Sequence, residues 1–446
     1  MKIGLLAMSG VRAHDKQLMA FGLTLPGFVE RSKVIASLPS LGLLYLAAVT
    51  PDRHDVRYFE AEGDRSEPQE IYDCDLVAIS TFSAQVFEAY AIADRLRSHG
   101  VKVAIGGLHA TALPEEALGH ADYVVAGEGE QTWPQVVRAA EGNVGQRIFR
   151  SKDFPPVDVA RLPVPRFDLL GDRPYNRFTV QTTRGCPWRC EFCASTVMLS
   201  EKYRKRPIDQ VIRDIQAFLQ VRPNAFIEFA DDNTFVDKSW GKELCRALRP
   251  LRIKWFTETD VTVAQDTELL DLMHRAGCRQ VLIGLESPGR GPLEGLEMHS
   301  NRKAFWNPQY VDAIHELQSH GITVNGCFIL GLDGHDNSIF PEILDYSITH
   351  GLYDVQITTL TAFPGTPLYQ RLLKSDRILE QGRWDLCTLF DVNYRPDPLT
   401  PEQLREGLYW LAERLYSAET TRLRRQGFHE QWRQVRPREQ ELLPSA

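Results

Sequence analysis

Apolar and polar positions along this chain fall into two series of short runs. Residues 3–7, 56–59, 76–80, 101–105 and 123–126 are apolar stretches bounded by polar or turn residues, and they read as buried strands. Helical patterns stand between them, at 41–49 behind Pro39-Ser40 and at 89–97. This alternation predicts a doubly wound, Rossmann-like parallel sheet over residues 1–140. A second series follows at 178–182, 225–229, 254–257, 281–285, 324–329 and 355–358. Ile208, Val211, Ile212, Ile215 and Leu219 form one stripe at the helical period, and Leu269, Leu270, Leu272 and Met273 belong to another helix. Repeated strand–helix units over 178–370 predict a partial (β/α)6 TIM-type barrel, with chemistry at the carboxyl ends of its strands. Residues 141–177 hold Pro155, Pro156, Pro163, Pro165 and Pro174 and little period, so an irregular linker is expected there. Residues 371–446 read as a helical tail, helical from about 401 to 425. Its aromatics, Trp384, Tyr394, Tyr409, Trp410 and Tyr416, are expected in a core. The fold class is α/β.

Composition adds limits. A chain of 446 residues, 43% hydrophobic and 25% charged, has room for two or three domains of ordinary globular type. No apolar run is long enough to span a bilayer. The run at residues 1–8 is too short for a signal peptide, and no cleavage site closes it, so a cytoplasmic location is expected. A net charge of −8 argues against a general nucleic-acid binder. Arg422, Arg424, Arg425, Arg433, Arg436 and Arg438 are a local exception, expected to be a solvated helical face.

The candidate chemistry lies just after the first strand of the second series, in Arg184-Gly185-Cys186-Pro187-Trp188-Arg189-Cys190-Glu191-Phe192-Cys193. Three of only 8 cysteines sit there at Cys-x3-Cys-x2-Cys. Structural zinc wants four closed ligands, usually in two Cys-x2-Cys pairs. Cys74, Cys245, Cys278, Cys327 and Cys387 stand alone and read as small core residues. Three thiolates with no fourth instead suit a [4Fe–4S] cubane with one iron left open to a cosubstrate.

This loop resembles the signature of the radical S-adenosylmethionine (SAM) enzymes, Cys-x3-Cys-x-aromatic-Cys, with Phe192 in the aromatic place. The resemblance implies that the open iron chelates the amino and carboxylate groups of SAM. One electron then cleaves SAM to methionine and a 5′-deoxyadenosyl radical that abstracts hydrogen. It also implies SAM contacts at the later strand ends. Glu228, Asp231 and Asp232 would receive its ammonium, Thr257 and Glu258 suit ribose hydroxyls, Glu286 and Ser287 end the fourth strand, and backbone near Leu330 would flank adenine. Asp231-Asp232-Asn233 also reads as a helix cap, which is compatible with ligand contact.

Three loops follow strands of the first sheet on the edge where such sheets bind ligands: Ser80-Thr81-Phe82-Ser83, Gly106-Gly107-Leu108-His109 and Gly127-Glu128-Gly129-Glu130. The whole segment is similar to the cobalamin-binding domain that precedes many radical SAM domains. Ser80-Thr81-Phe82 nearly matches the Ser-x-Leu of cobalamin domains, and Gly106-Gly107 matches their Gly-Gly. Their Asp-x-His-x-x-Gly is missing; the loop after Ser9 holds His14-Asp15 in the wrong order. Cobalamin without a histidine on cobalt is expected, held by these loops; the other reading of the missing motif is a domain that has lost cobalamin. The resemblance implies a methyltransferase acting on an unactivated carbon of a small-molecule or lipid-like substrate, with an electron donor such as flavodoxin or ferredoxin. Its rivals are a non-methylating cyclase, ring-contraction enzyme or oxidoreductase of the same build, and a cobalamin- or redox-responsive binding protein without turnover.

Overall fold

The computed structural model describes residues 1–9, 12–13, 38–62, 67–142, 147–173, 175, 177–199 and 202–441. His14-Asp15 and Pro174 lie outside them. The first sheet has six strands, all parallel: β1 (Lys2–Ser9), β2 (Asp55–Glu62), β3 (Leu76–Ser80), β4 (Lys102–Gly106), β5 (Tyr123–Ala126) and β6 (Ile148–Arg150), in the order β2-β1-β3-β4-β5-β6. β3 and β5 are buried along their length apart from Ser80, because helices cover both faces. Strand β6 corrects the sequence reading: it extends the sheet into the expected linker, and three residues are too short to carry a period.

The second sheet is also wholly parallel. It comprises β7 (Phe178–Val180), β10 (Phe226–Phe229), β11 (Lys254–Thr259), β12 (Cys278–Glu286), β13 (Thr323–Leu330) and β14 (Asp354–Thr359), ordered β14-β13-β12-β11-β10-β7. This is the six-stranded partial barrel that the periodicity predicts. A two-stranded antiparallel ladder, β8 (Thr183–Arg184) with β9 (Arg204–Lys205), sits at its mouth. Buried apolar residues of both sheets belong to one continuous core. At the seam the fully buried Arg206 donates to Asp214, to the Tyr45 hydroxyl at 2.8 Å and to the Gln181 carbonyl at 3.1 Å. Tyr45 belongs to helix Leu41–Val49 of the first domain, so an ion pair of the second domain is completed by the first.

The tail packs back on the barrel. Helix Pro401–Leu415 opens with a capping box between Thr400 and Gln403, and helix Ala418–Glu441 follows. Trp384 and Tyr394 are buried, as expected, and the Tyr394 hydroxyl donates to the Gly331 carbonyl. The arginine cluster is not simply a solvated face. Arg424 is 1% exposed and donates to the carbonyls of Leu352 (3.1 Å) and Tyr353 (3.0 Å). The side chains of Arg433, Arg436 and Arg438 lie outside the described residues. Among the described residues no helix is long and apolar enough to cross a membrane.

Candidate functional site

The cysteine loop leaves β7 at the barrel mouth and is held from three sides. From the end of β10, Asp231 accepts from the amides of Thr182 (2.8 Å) and Thr183 (2.9 Å) and from the hydroxyls of Thr182 and Thr234. Its neighbour Asp232 accepts from the Gly185 amide at 2.9 Å and from the Ser195 hydroxyl, gripping the loop before and after its cysteines. From beyond β12, the Glu191 amide donates to the Leu296 carbonyl (2.8 Å) and the Met298 amide to the Arg189 carbonyl (3.1 Å), with a β-bridge between Cys190 and Glu297. The Arg302 guanidinium lies 3.8 Å from the centre of the Trp188 ring, whose indole N–H donates to Asp260 at 3.2 Å. Phe192 packs half-buried against the core.

The thiols of Cys186, Cys190 and Cys193 are of intermediate exposure. Burial pushes Cys186 up to about 12, the Asp232 charge adding to it, and pushes Cys190 up as well; the field of Cys193 acts on both. Bound iron would reverse this preference, because a coordinating thiol is deprotonated. Among the described residues no three His, Cys, Asp or Glu side chains converge as they would on a single ion. A cubane does not ask for that convergence, since each corner iron takes one thiolate. The donor set fits a cluster better than zinc.

The residues expected to contact SAM divide into two groups. Asp231 is one correction: its oxygens are occupied by four donors of its own chain, which leaves it a latch for the loop and not a receptor for an ammonium. Thr257 is buried and spends its hydroxyl on Thr234, Ser287 is buried and bonded to Nε2 of His335 at 3.1 Å, and Leu330 is fully buried. Glu228 pairs with Arg177 at 2.8 Å. Asp232, Glu258 and Glu286 remain as polar groups gathered around the mouth. Burial raises Glu258 to about 8, helped by the charges of Glu228 and Asp232, so this carboxyl is protonated through much of the neutral range. Glu286 sits in the left-handed region at φ 62°, and its carboxylate is 2.8 Å from the Lys303 ammonium. Strain of this kind in a non-glycine residue concentrates at functional sites. Arg177, Trp188, Arg302 and Lys303 escaped the sequence reading.

A single cavity of about 530 Å³ runs from the first sheet's carboxyl edge to this loop. Its lining includes Ser80, Phe82, Gly106, Gly107, Gly127, Glu128 and Gly129 from the first domain and Gln181, Arg184, Ser195 and Asp232 from the second. Seven of the ten first-domain residues expected at a cofactor therefore face it, and three do not. Thr81 is buried, its amide bonded to the Gly106 carbonyl. Ser83 and His109 are buried against each other at 3.0 Å. His109 then meets Glu116 at 3.0 Å, which also accepts from the Tyr90 hydroxyl (3.1 Å) and the Trp384 indole (3.1 Å). His109 thus joins the first domain to the tail. Gly107 is a partial correction: a Cβ there would lie 2.4 Å from the Thr81 carbonyl oxygen, and φ is 105°, so its own chain requires the glycine. A Cβ on Gly106 would only touch Val125, and one on Gly42, also in the lining, would meet nothing within 4 Å.

Glu128 and Glu130 both reach across the seam. Arg184, two residues before Cys186, lies 2.8 Å from Glu128 and 2.6 Å from Glu130, and Arg204 also pairs with Glu128.

Comparison with known proteins finds two family models along the chain. The family model of the radical SAM superfamily matches residues 180–347, and that of the B12 binding domain matches residues 31–137. The chain is 26% identical to bacteriochlorophyllide d C-12(1)-methyltransferase of Chlorobaculum tepidum, over 89% of this chain and 86% of that one. It is 24% identical to hopanoid C-2 methylase of Rhodopseudomonas palustris, over 81% and 69%. The fold is similar to that of the radical SAM methyltransferase TsrM from Kitasatospora setae, solved with cobalamin and a [4Fe-4S] cluster bound: TM-score 0.66 at 15% identity, covering 99% of this chain and 100% of that one.

Proposed function

The chain belongs to the cobalamin-dependent radical SAM family, and from that premise we propose that it is a methyltransferase acting on a carbon of a small organic molecule. The observation that carries this reading is the shared cavity: one space is bounded both by the glycine loops of the first sheet and by the residues that grip the cysteine loop. A group held on the first sheet and one held at the barrel mouth would face each other across it.

The residues fit the cofactors that the family implies. Cys186, Cys190 and Cys193 would each hold one iron of a [4Fe–4S] cluster. The glycine-lined edge around Gly106 and Gly129 leaves room for cobalamin, and no histidine lines the cavity among the described residues. Bound together, the cluster, SAM and cobalamin supply reductive SAM cleavage and methyl transfer to carbon. The chain's own residues provide position and shielding. Asp231 and Asp232 fix the ligand loop, Arg184 and Glu128 hold it against the first domain, and Asp232, Glu258 and Glu286 present polar groups toward SAM. A one-electron donor such as flavodoxin or ferredoxin would supply the reducing equivalent. The methylases named for a bacteriochlorophyllide and a hopanoid support a small-molecule substrate.

The test is product counting. Anaerobically reconstituted protein, supplied with cobalamin, SAM and a reductant, should form both S-adenosylhomocysteine and 5′-deoxyadenosine. Changing the three cysteines to alanine should remove the iron and the 5′-deoxyadenosine. Formation of 5′-deoxyadenosine with no S-adenosylhomocysteine would replace methyl transfer with a non-methylating radical reaction.

A further inference from the structure

Beside Cys190 the structure gathers two charged groups that the function proposed above does not use, Lys303 and Glu297, around Glu286. Lys303, on the short helix Arg302–Trp306, extends its ammonium to Glu286 at 2.8 Å and to the Gly284 carbonyl at 2.9 Å. Both charged side chains are largely buried, at 18% and 8% exposure. Glu297 bridges to Cys190 through the backbone, and its carboxylate accepts from the amides of Arg302 and Lys303 and from the Ser300 hydroxyl. Two carboxylates therefore flank the ligand loop on this side. Arg302 is committed to Asp260 and to the Trp188 ring, which leaves Lys303 as the cation turned toward Glu286.

We propose that Lys303 sets the reduction potential of the cluster held by this loop, its ammonium offsetting Glu286 and Glu297 beside Cys190. Reduction brings one electron from an external one-electron donor, adds one negative charge next to Cys190, and makes or breaks no bond. In a site partly removed from water that charge interacts strongly with its neighbours, so a nearby cation favours the reduced state and a nearby anion opposes it. Lys303 is a positioning residue: its ammonium also pairs with the carboxylate of Glu286, whose backbone is left-handed. The inference rests on the cluster reading.

The experiment is a potentiometric titration of the reconstituted full-length protein at pH 8.5, followed by electron paramagnetic resonance, with iron counted in each sample. Lys303→Met should lower the midpoint and Glu286→Gln should raise it, each by about tenfold in the reduction equilibrium, ~59 mV for one electron. Lys303→Met/Glu286→Gln should return close to the wild-type midpoint, and Lys303→Arg should stay there. A purely structural role would not produce opposite signs that cancel. Unmoved midpoints in both single variants, or shifts of the same sign, overturn the proposal. Wild-type protein that holds no reducible cluster would overturn the cluster reading beneath it, and its iron count separates that failure from the other.

Discussion

The guanidinium of Arg184 lies 2.8 Å from the carboxylate of Glu128, and this pair crosses the seam between the two sheets two residues before Cys186. Both side chains are 13% exposed, and Glu130 adds a second carboxylate at 2.6 Å. Glu128 and Glu130 follow the end of β5 and Arg184 lies in β8, so the ligand loop is anchored to the first domain ahead of its cysteines. Arg184→Met should leave Glu130 without that partner in a place that excludes most water. Losing one member of a buried pair costs about 3 kcal/mol. A fall in melting temperature, with faster amide exchange in both loops, should follow. Glu115→Gln makes the contrast: it removes an ion pair with Arg150 in which Glu115 is 72% exposed, and its effect should stay under ~1 kcal/mol.

Asp231→Asn should be the most damaging change at the barrel mouth. The carboxylate takes four donors, and an amide in its place would turn a donor toward some of them. A loss of about 3–4 kcal/mol is expected from a buried charged acceptor with this many partners. Iron loading should fall with stability, because the Thr182-Thr183 backbone leads into the loop. Glu258→Gln should leave iron loading intact. Iron counts and chemical denaturation of the two variants, measured side by side, check both statements.

The sequence carried what is local. The cysteine spacing, the glycine turns and all six barrel strands were readable because each lies within one short window, and the shared cavity follows from two sheets whose carboxyl edges meet. Long-range contacts were not readable. Trp384 reaches Glu116 across 268 residues, and nothing in the Gly106-Gly107-Leu108-His109 stretch says that His109 points at that contact instead of the cavity. Asp231 and Asp232 are adjacent in sequence and equal in charge, but one faces inward among amides and the other lines the cavity. Lys303 is one lysine among 51 basic residues until β12 places Glu286 against it.

Cobalamin loading should depend on Gly42 and Gly106 and be separable from folding. Helix Leu41–Val49 presents Gly42 to the cavity with no atom within 4 Å of its Cβ position. Gly42→Trp should project into that space from a Cβ that meets no neighbour, and helix propensity favours replacing glycine by about 0.5–1 kcal/mol. The variant should keep its melting temperature and its iron but lose cobalamin when reconstituted. Gly107→Ala should behave differently, because its Cβ strikes the Thr81 backbone: stability falls first and cobalamin is lost with it. Cobalamin absorbance and iron content on the same samples, set beside thermal unfolding, distinguish the two.

Glu258 should give the unliganded protein a stability that declines across the neutral range. Burial raises its carboxyl from 4.5 to about 8, so between those values the folded chain holds a proton that the unfolded chain has released. With fewer protons on the unfolded state, stability falls as pH rises, by at most ~1.4 kcal/mol per pH unit from this one group. Below about pH 4.5 both states are protonated and this slope vanishes; above about 8 both are ionised and the loss is complete. Glu258→Gln cannot ionise, so it should flatten the decline and exceed wild type in stability most clearly near pH 8. Denaturation midpoints of the two proteins from pH 5 to 9 measure it. Parallel curves would mean that the carboxyl is solvated enough to ionise normally, which would also remove it as a neutral donor at the barrel mouth.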